Sequence, residues 1–139
     1  SNRFAIGIHI LLVIAYTRDD ETVSCTSEYI AESVNINPVI IRKVISKLKG
    51  AGLITVKSGS GGTFLNKEPG EISLLKVYHA VEVVKDDELF NLHDEPNPNC
   101  PIGKNINTVL DIVLTKATKA MEDVLEGVSI AHVLADIRA

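Results

Sequence analysis

The sequence predicts a mainly α-helical fold with one small antiparallel β-hairpin: a winged helix-turn-helix followed by a long dimerisation helix. Three observations carry that expectation. The stretch from Thr26 to Leu65 reads as helix, tight turn, helix, strand, glycine-rich loop, strand. The second helix of that unit is apolar on one side and basic on the other. The region from Ile102 to Glu126 is the longest helical pattern in the chain and carries two apolar stripes.

The second helix starts at a strong boundary. Asn37 is a good N-cap, because its side-chain oxygen can accept from an N–H of the first turn. Pro38 comes next, where a missing N–H does no harm. Ile41, Val44, Ile45 and Leu48 recur at i, i+3, i+4 and i+7 and share one buried face. Val39, Arg42, Lys43, Ser46 and Lys47 take the other. Such a face can be an ordinary solvated surface. It also fits the major groove, where cations meet phosphates and Arg reaches guanine edges.

The segment after this helix favours the groove. Gly50-Ala51-Gly52 stops the helix, Leu53 to Val56 is short, apolar and β-branched, and Thr63-Phe64-Leu65 returns. Between them Lys57-Ser58-Gly59-Ser60-Gly61-Gly62 makes a hairpin loop longer than a two-residue turn. Its small residues allow close approach to a sugar-phosphate backbone. A nucleotide cradle is the weaker reading, since no Lys-Ser or Lys-Thr comes after the glycines and a strand, not a helix, comes next. Upstream, Thr26 caps a short helix with Glu28 in its first turn, where a negative charge suits the helix dipole. Ile30, Ala31 and Val34 face inward, and Asn35-Ile36-Asn37 is the turn.

Charge is unevenly spread. The formal net charge is −4, which by itself argues against DNA. Yet residues 33–67 hold six basic residues and no acid, whereas residues 68–139 hold thirteen acids against six bases. Phosphate binding depends on local charge more than on the whole-chain sum. With 4% aromatics and no Trp, base stacking is not the expected mode of binding. The longest apolar run, Phe4 to Tyr16, is interrupted and falls short of the roughly 20 residues needed to span a bilayer. Two cysteines are too few for a disulfide framework, and no signal-peptide pattern is present, so a cytoplasmic protein is expected.

Outside that unit the chain is mostly helical. Phe4 to Thr17 is expected as a helix that is apolar nearly all round and largely buried, with His9 a hydrogen-bonded core residue rather than a ligand. Arg18 to Ser24 is a polar loop and Lys67 to Gly70 another. Ile72 to Lys85 reads as a helix through Leu74, Val77, Tyr78 and Val81. Asp86 to Pro101 is acidic and then rich in Pro and Asn, which forbids regular helix there. From Ile102 to Glu126, Ile102, Ile106, Val109, Val113, Ala117, Ala120 and Val124 form an almost heptad seam, with Leu110, Leu114, Met121 and Leu125 beside it. Such a helix runs roughly 37 Å. It is either the central core helix of a monomer or a seam covered by a second copy of the chain; two apolar faces favour the second copy. Gly127 ends it. Ser129 caps a last helix with Ile130, Val133, Leu134 and Ile137 on one face. The boundaries drawn are 1–67 for the DNA-binding domain with its N-terminal helix, and 68–139 for the linker helix, the Pro/Asn/Cys loop and the dimerisation helices.

These pieces resemble a known family. TSEYIAESVNINPVIIRKVISKLKGAGLITVKSGSGG, then EISLLKVYHAVE, a cysteine-bearing loop, a long helix and VSIAHVL look like the Rrf2 family of bacterial winged-helix regulators, which includes IscR, NsrR and CymR. The Asn-Pro-Asn-Cys-Pro-Ile-Gly loop is most similar to the YwnA-like branch. The resemblance implies a homodimer whose two recognition helices meet a palindromic operator. It places base-reading positions on Asn37, Val39, Ile40 and Arg42, and wing contacts on Lys57, Ser58 and Gly59. Thr26 and Ser60 complete the expected DNA-facing set. Arg42 stands where an acid can occur in the family; Arg favours guanine, whereas a carboxylate accepts from cytosine. Lys43, Lys47 and Lys57 read as phosphate contacts, which position without specifying.

Many members of the family sense through an iron–sulfur cluster held by three closely spaced cysteines. Here the corresponding loop has Cys100 alone. A cluster normally takes four protein ligands and would have to borrow His93, His9 or groups from another subunit, so a cluster-free member is expected. Cys100 is then either a thiol sensor or a small loop-packing residue. His93 with Cys100 makes too small a set for zinc, and no metal or other cofactor is expected. The functional expectation is a homodimeric DNA-binding regulator, a repressor, using residues 38–49 and the wing 57–63. The alternative is a protein-interaction adaptor of the same fold without DNA activity, to which the acidic C-terminal half points. No enzyme is expected, because His79, His93, Cys100 and His132 match no nucleophile–base or metal spacing.

Overall fold

The computed structural model describes residues 2–82 and 96–139. Its helices are α1 (Arg3–Thr17), α2 (Ser27–Val34), α3 (Pro38–Gly50), α4 (Leu74–Val81), α5 (Pro101–Glu126) and α6 (Ile130–Arg138). One hairpin pairs β1 (Ile54–Lys57) with β2 (Gly62–Leu65), antiparallel, with Ile54 opposite Leu65 and Lys57 opposite Gly62. Mainly helical architecture with one small hairpin is thus what the chain adopts.

The chain divides into two compact units. The first takes residues up to 82 together with 126–139; the second is 83–125, described from residue 96 onward. The sequence reading divides the chain at 67 instead. Packing joins α4 and α6 to the head, because Val77, Val81 and Ile130 are buried in its core.

That core is aliphatic. Ile10, Leu11, Ile14, Ile30, Ile41, Val44 and Leu48 close against one another from α1, α2 and α3, and Ile54 and Ile72 join the cluster beside Val77, Val81 and Ile130. At about 1.5–3 kcal/mol per fully buried aliphatic side chain, this cluster is the main stabilising term of the head. Gly7 lets α1 and α4 approach: a Cβ there would lie 3.2 Å from Val81 Cγ1 and 3.3 Å from Val77 Cγ1.

Two serines tie the C-terminus to the head. Ser73 caps α4 by accepting from the Lys76 N–H, and Ser129 caps α6 by accepting from the His132 N–H. The two sit opposite each other in an isolated antiparallel bridge, flanked by Leu74 N–H to the Val128 carbonyl (2.8 Å) and Ile130 N–H to the Ile72 carbonyl (2.9 Å).

Three expectations need correction. His9 is exposed, not a core residue. Ala5, His9 and Tyr16, spaced by four and seven, form an outward stripe of α1, which is therefore not buried all round. The helix expected over 72–85 is shorter: it begins at Leu74 and Glu82 is its C-cap. The rest of that expectation, residues 83–85, lies outside the described residues, as do the acidic part of the loop at 86–95 and His93.

In the second unit, α5 begins after a turn in which Asn97 Oδ1 accepts from the Asn99 N–H. The Cys100 N–H donates to the Asn97 carbonyl at 3.2 Å. Gly103 makes this turn fit, since a side chain there would overlap the Asn97 carbonyl. The helix has 26 residues, none of them buried, and ends at Glu126, immediately before Gly127.

Candidate nucleic-acid interface

The helix-turn-helix is built by its caps. Thr26 Oγ1 accepts from the Tyr29 N–H at 3.1 Å and starts α2. Asn35 ends it in the left-handed region (φ 61), its N–H bonded to the Ala31 carbonyl. Asn37 Oδ1 accepts from the Val39 N–H at 2.8 Å and starts α3 with Pro38 in its first turn. The left-handed Asn35 and the Asn37 cap therefore turn the chain from α2 into α3 within three residues, and Ile41, Val44, Ile45 and Leu48 bury the inner face of α3.

The outer face presents the expected set. Arg42, Lys43 and Ser46 are exposed and Lys47 is half-buried. Val39 and Ile40 are 50% and 44% exposed, which is unusual for aliphatic residues in the first turn of a helix whose other side is core. Apolar contact suits thymine methyl groups, and the cations beside it suit phosphate or guanine.

The wing stands next to this face. Its tip is a 3-10 turn, Gly59–Gly61, entered from Ser58. Three hydrogen bonds stitch it to the loop before α2. Ser24 Oγ donates to the Ser60 carbonyl (2.6 Å), Thr63 Oγ1 to the Cys25 carbonyl (2.7 Å), and the Thr63 N–H to the same carbonyl (2.8 Å). Gly62 makes the approach possible: its φ is +84, and a Cβ would meet the Cys25 backbone N at 3.2 Å. Lys57 Nζ lies 4.7 Å from the centre of the Phe64 ring, which holds its charge at the base of the wing.

Helix and wing enclose a groove of about 350 Å³ bordered by Thr26, Arg42, Ser46, Lys49, Lys57 and Gly59. The structure thus brings together Thr26, Arg42, Ser46, Lys57 and Gly59 of the expected set. Asn37 at the start of α3 and Val39, Ile40, Lys43 and Lys47 along it lie outside the groove walls, Ser58 leads into the wing tip and Ser60 sits in it. Two participants were missed from the sequence. Lys49 borders the groove from the last turn of α3, and Glu28 brings a carboxylate into it from α2. The basic run that includes Lys49 was the available signal; Glu28 had none, because only the fold sets α2 against α3.

Cys100 lies in the other unit, at the start of α5. Backbone N–H groups of Gly103 and then Ile102 point to its thiol and hold its pKa below the usual thiol value. Cys25, half-buried, belongs to the head. With two cysteines in the whole chain, the thiolate set falls short of the four protein ligands that an iron–sulfur cluster takes.

Known proteins share this fold. The profile of the Rrf2 family, described as "Iron-dependent Transcriptional regulator", matches residues 1–136. YwnA of Bacillus subtilis (strain 168), assigned as an HTH-type transcriptional regulator, is 45% identical over 134 residues, spanning 96% of each chain. A crystal structure of a protein described as DNA-binding superposes with a TM-score of 0.73 at 40% identity, covering 95% of this chain and 98% of that one. CymR of B. subtilis, at 19% identity, shares the fold with a TM-score of 0.69 over 97% of this chain and 94% of its own. These relatives are regulators, not enzymes. A capped recognition helix, a stitched wing and a whole-length profile match lead to one conclusion: the chain belongs to the Rrf2 family of winged-helix transcriptional regulators.

Proposed function

We propose that the protein is a homodimeric repressor that binds a palindromic operator through residues 38–49 and the wing 57–63. The observation that carries this reading is the groove between α3 and the wing, with exposed cations on both walls. In it Arg42 reads guanine; beyond its walls, on the exposed face at the start of α3, Val39 and Ile40 meet base methyl groups and Asn37 contacts a base edge. Lys43, Lys47, Lys57, Ser46, Ser58, Ser60 and Thr26, with the Gly59 backbone, hold phosphates.

Pairing is supported by α5. Ile102, Val109, Val113 and Val124 are more than half exposed on a helix with no fully buried residue. Apolar side chains repeated along one helix at these intervals call for a cover, and a second copy of α5 supplies a complementary one. The assembly works without an iron–sulfur cluster; the lowered thiol pKa of Cys100 supports a thiol-sensing role in its place.

Selection of bound duplexes from a random DNA pool tests the reading, alongside sedimentation of the free protein. The expected result is an inverted repeat bound by a dimer, with about 1–3 kcal/mol of specificity lost at one guanine position in Arg42→Ala. No enrichment, or a monomer on a single asymmetric site, would refute it.

A further inference from the structure

The wing has a second hollow behind it. A cavity of about 530 Å³ lies between the end of α1, the loop 18–25, β2 and the 3-10 turn Pro69–Glu71. Its size falls within the range of small-molecule sites, roughly 300–1,000 Å³. Ile14, Val23 and Leu65 give it an apolar wall, and four charged side chains surround the rest: Arg18, Lys67, Glu68 and Glu71.

The charges are arranged unequally. Arg18 Nη1 and Glu68 Oε2 neutralise each other at 3.0 Å. Lys67 and Glu71 are in no ion pair among the described residues. The Glu71 carboxylate takes one hydrogen bond, from the Glu68 N–H at 3.2 Å, and has acceptor capacity left. One cation and one carboxylate without ionic partners, beside an apolar wall, complement a ligand that carries both charges. We infer that this cavity binds a small zwitterion of the amino-acid class, its carboxylate toward Lys67 and its ammonium toward Glu71.

The position of the cavity couples it to the wing. The hairpin stands between the two hollows: Val56 and Lys57 border the DNA groove, Phe64 and Leu65 the cavity, and Thr63 both. The loop carrying Ser24 and Cys25 forms part of the cavity wall and holds the wing by three hydrogen bonds, one at its tip and two at Thr63 of β2. A ligand that displaces this loop displaces the wing with it. This coupling, unlike the binding itself, rests on the proposed DNA-binding function.

Isothermal titration of the full chain with each proteinogenic L-amino acid, in the absence of DNA, tests the site. At least one should bind. Its N-acetyl and methyl-ester forms, each lacking one charge, should bind at least about tenfold more weakly, as should the amino acid to Lys67→Ala and to Glu71→Gln. Both residues are exposed, so neither change empties the core. No binding by any amino acid, or binding that ignores both substitutions, overturns the assignment. Saturation with the bound amino acid should then change affinity for a selected duplex several-fold; an unchanged affinity overturns the coupling. A chain that binds the amino acid but no duplex would refute the regulator function and leave the cavity assignment standing.

Discussion

Replacing Gly62 by Ala isolates the contact that sets the wing. Gly62 has φ 84 and ψ −172, a region open almost only to glycine. Holding an L-residue there costs about 1–3 kcal/mol. A Cβ would also press on Cys25, 3.2 Å from its N and 3.4 Å from its C and O. That neighbour is backbone and cannot rotate away. If it moves, it strains the two bonds that Thr63 makes to the Cys25 carbonyl, each worth about 1 kcal/mol. The combined destabilisation is about 2–4 kcal/mol if the wing stays in place. If the wing lifts off instead, the cost is capped and the Thr63 amide loses protection. Gly59→Ala is the control: its φ is +68, but nothing lies within 4 Å of the added carbon, so only the left-handed penalty of about 1–2 kcal/mol applies. Urea denaturation reads the stabilities, and hydrogen exchange at the Thr63 amide reads the wing. Gly62→Ala as stable as Gly59→Ala, with an equally protected Thr63 amide, would refute the reasoning.

Single contacts elsewhere have consequences of their own. Asn37→Ala removes the oxygen that caps α3 and should cost about 1 kcal/mol in chemical denaturation, with Asn37→Ser largely restoring it. Gly7→Val forces branched methyls against Val77 and Val81; it should destabilise by about 1–3 kcal/mol, and pairing it with Val81→Ala should recover part of the loss. Cys100, whose thiolate receives the Gly103 and Ile102 N–H groups, should alkylate with a pH midpoint below that of an ordinary thiol. In denaturant the midpoint should rise to the ordinary value; a midpoint that does not move would remove the helix-start explanation.

The helix-turn-helix was legible because its signals are local. Caps at Thr26 and Asn37, Pro38 and the i, i+3, i+4, i+7 repeat each act within one or two turns, and the structure shows each at work. The hairpin was legible from its β-branched run and its glycines. What pattern could not supply was contact between distant residues. The bonds from Ser24 and Thr63 that seat the wing span 36 and 38 positions. Nothing in the local sequence distinguishes Gly62 from Gly61, yet only Gly62 packs on Cys25. His9 was misplaced for a related reason: an apolar segment hides its exposed stripe when the residues on that stripe are Ala5 and Tyr16, which are themselves apolar or amphipathic. The seam of α5 is visible in its periodicity, but the same periodicity serves a core helix, so the repeat by itself does not say what covers it.

The cations of α3 and the wing must meet a phosphate backbone if the protein regulates by binding DNA. The most direct test is the affinity for a selected duplex across a range of salt, for the wild-type chain and for Lys43→Ala and Lys57→Ala. The logarithm of affinity should fall linearly with the logarithm of salt, and each phosphate contact removed should flatten that slope by about 0.9. A slope that is the same in all three proteins would contradict the account.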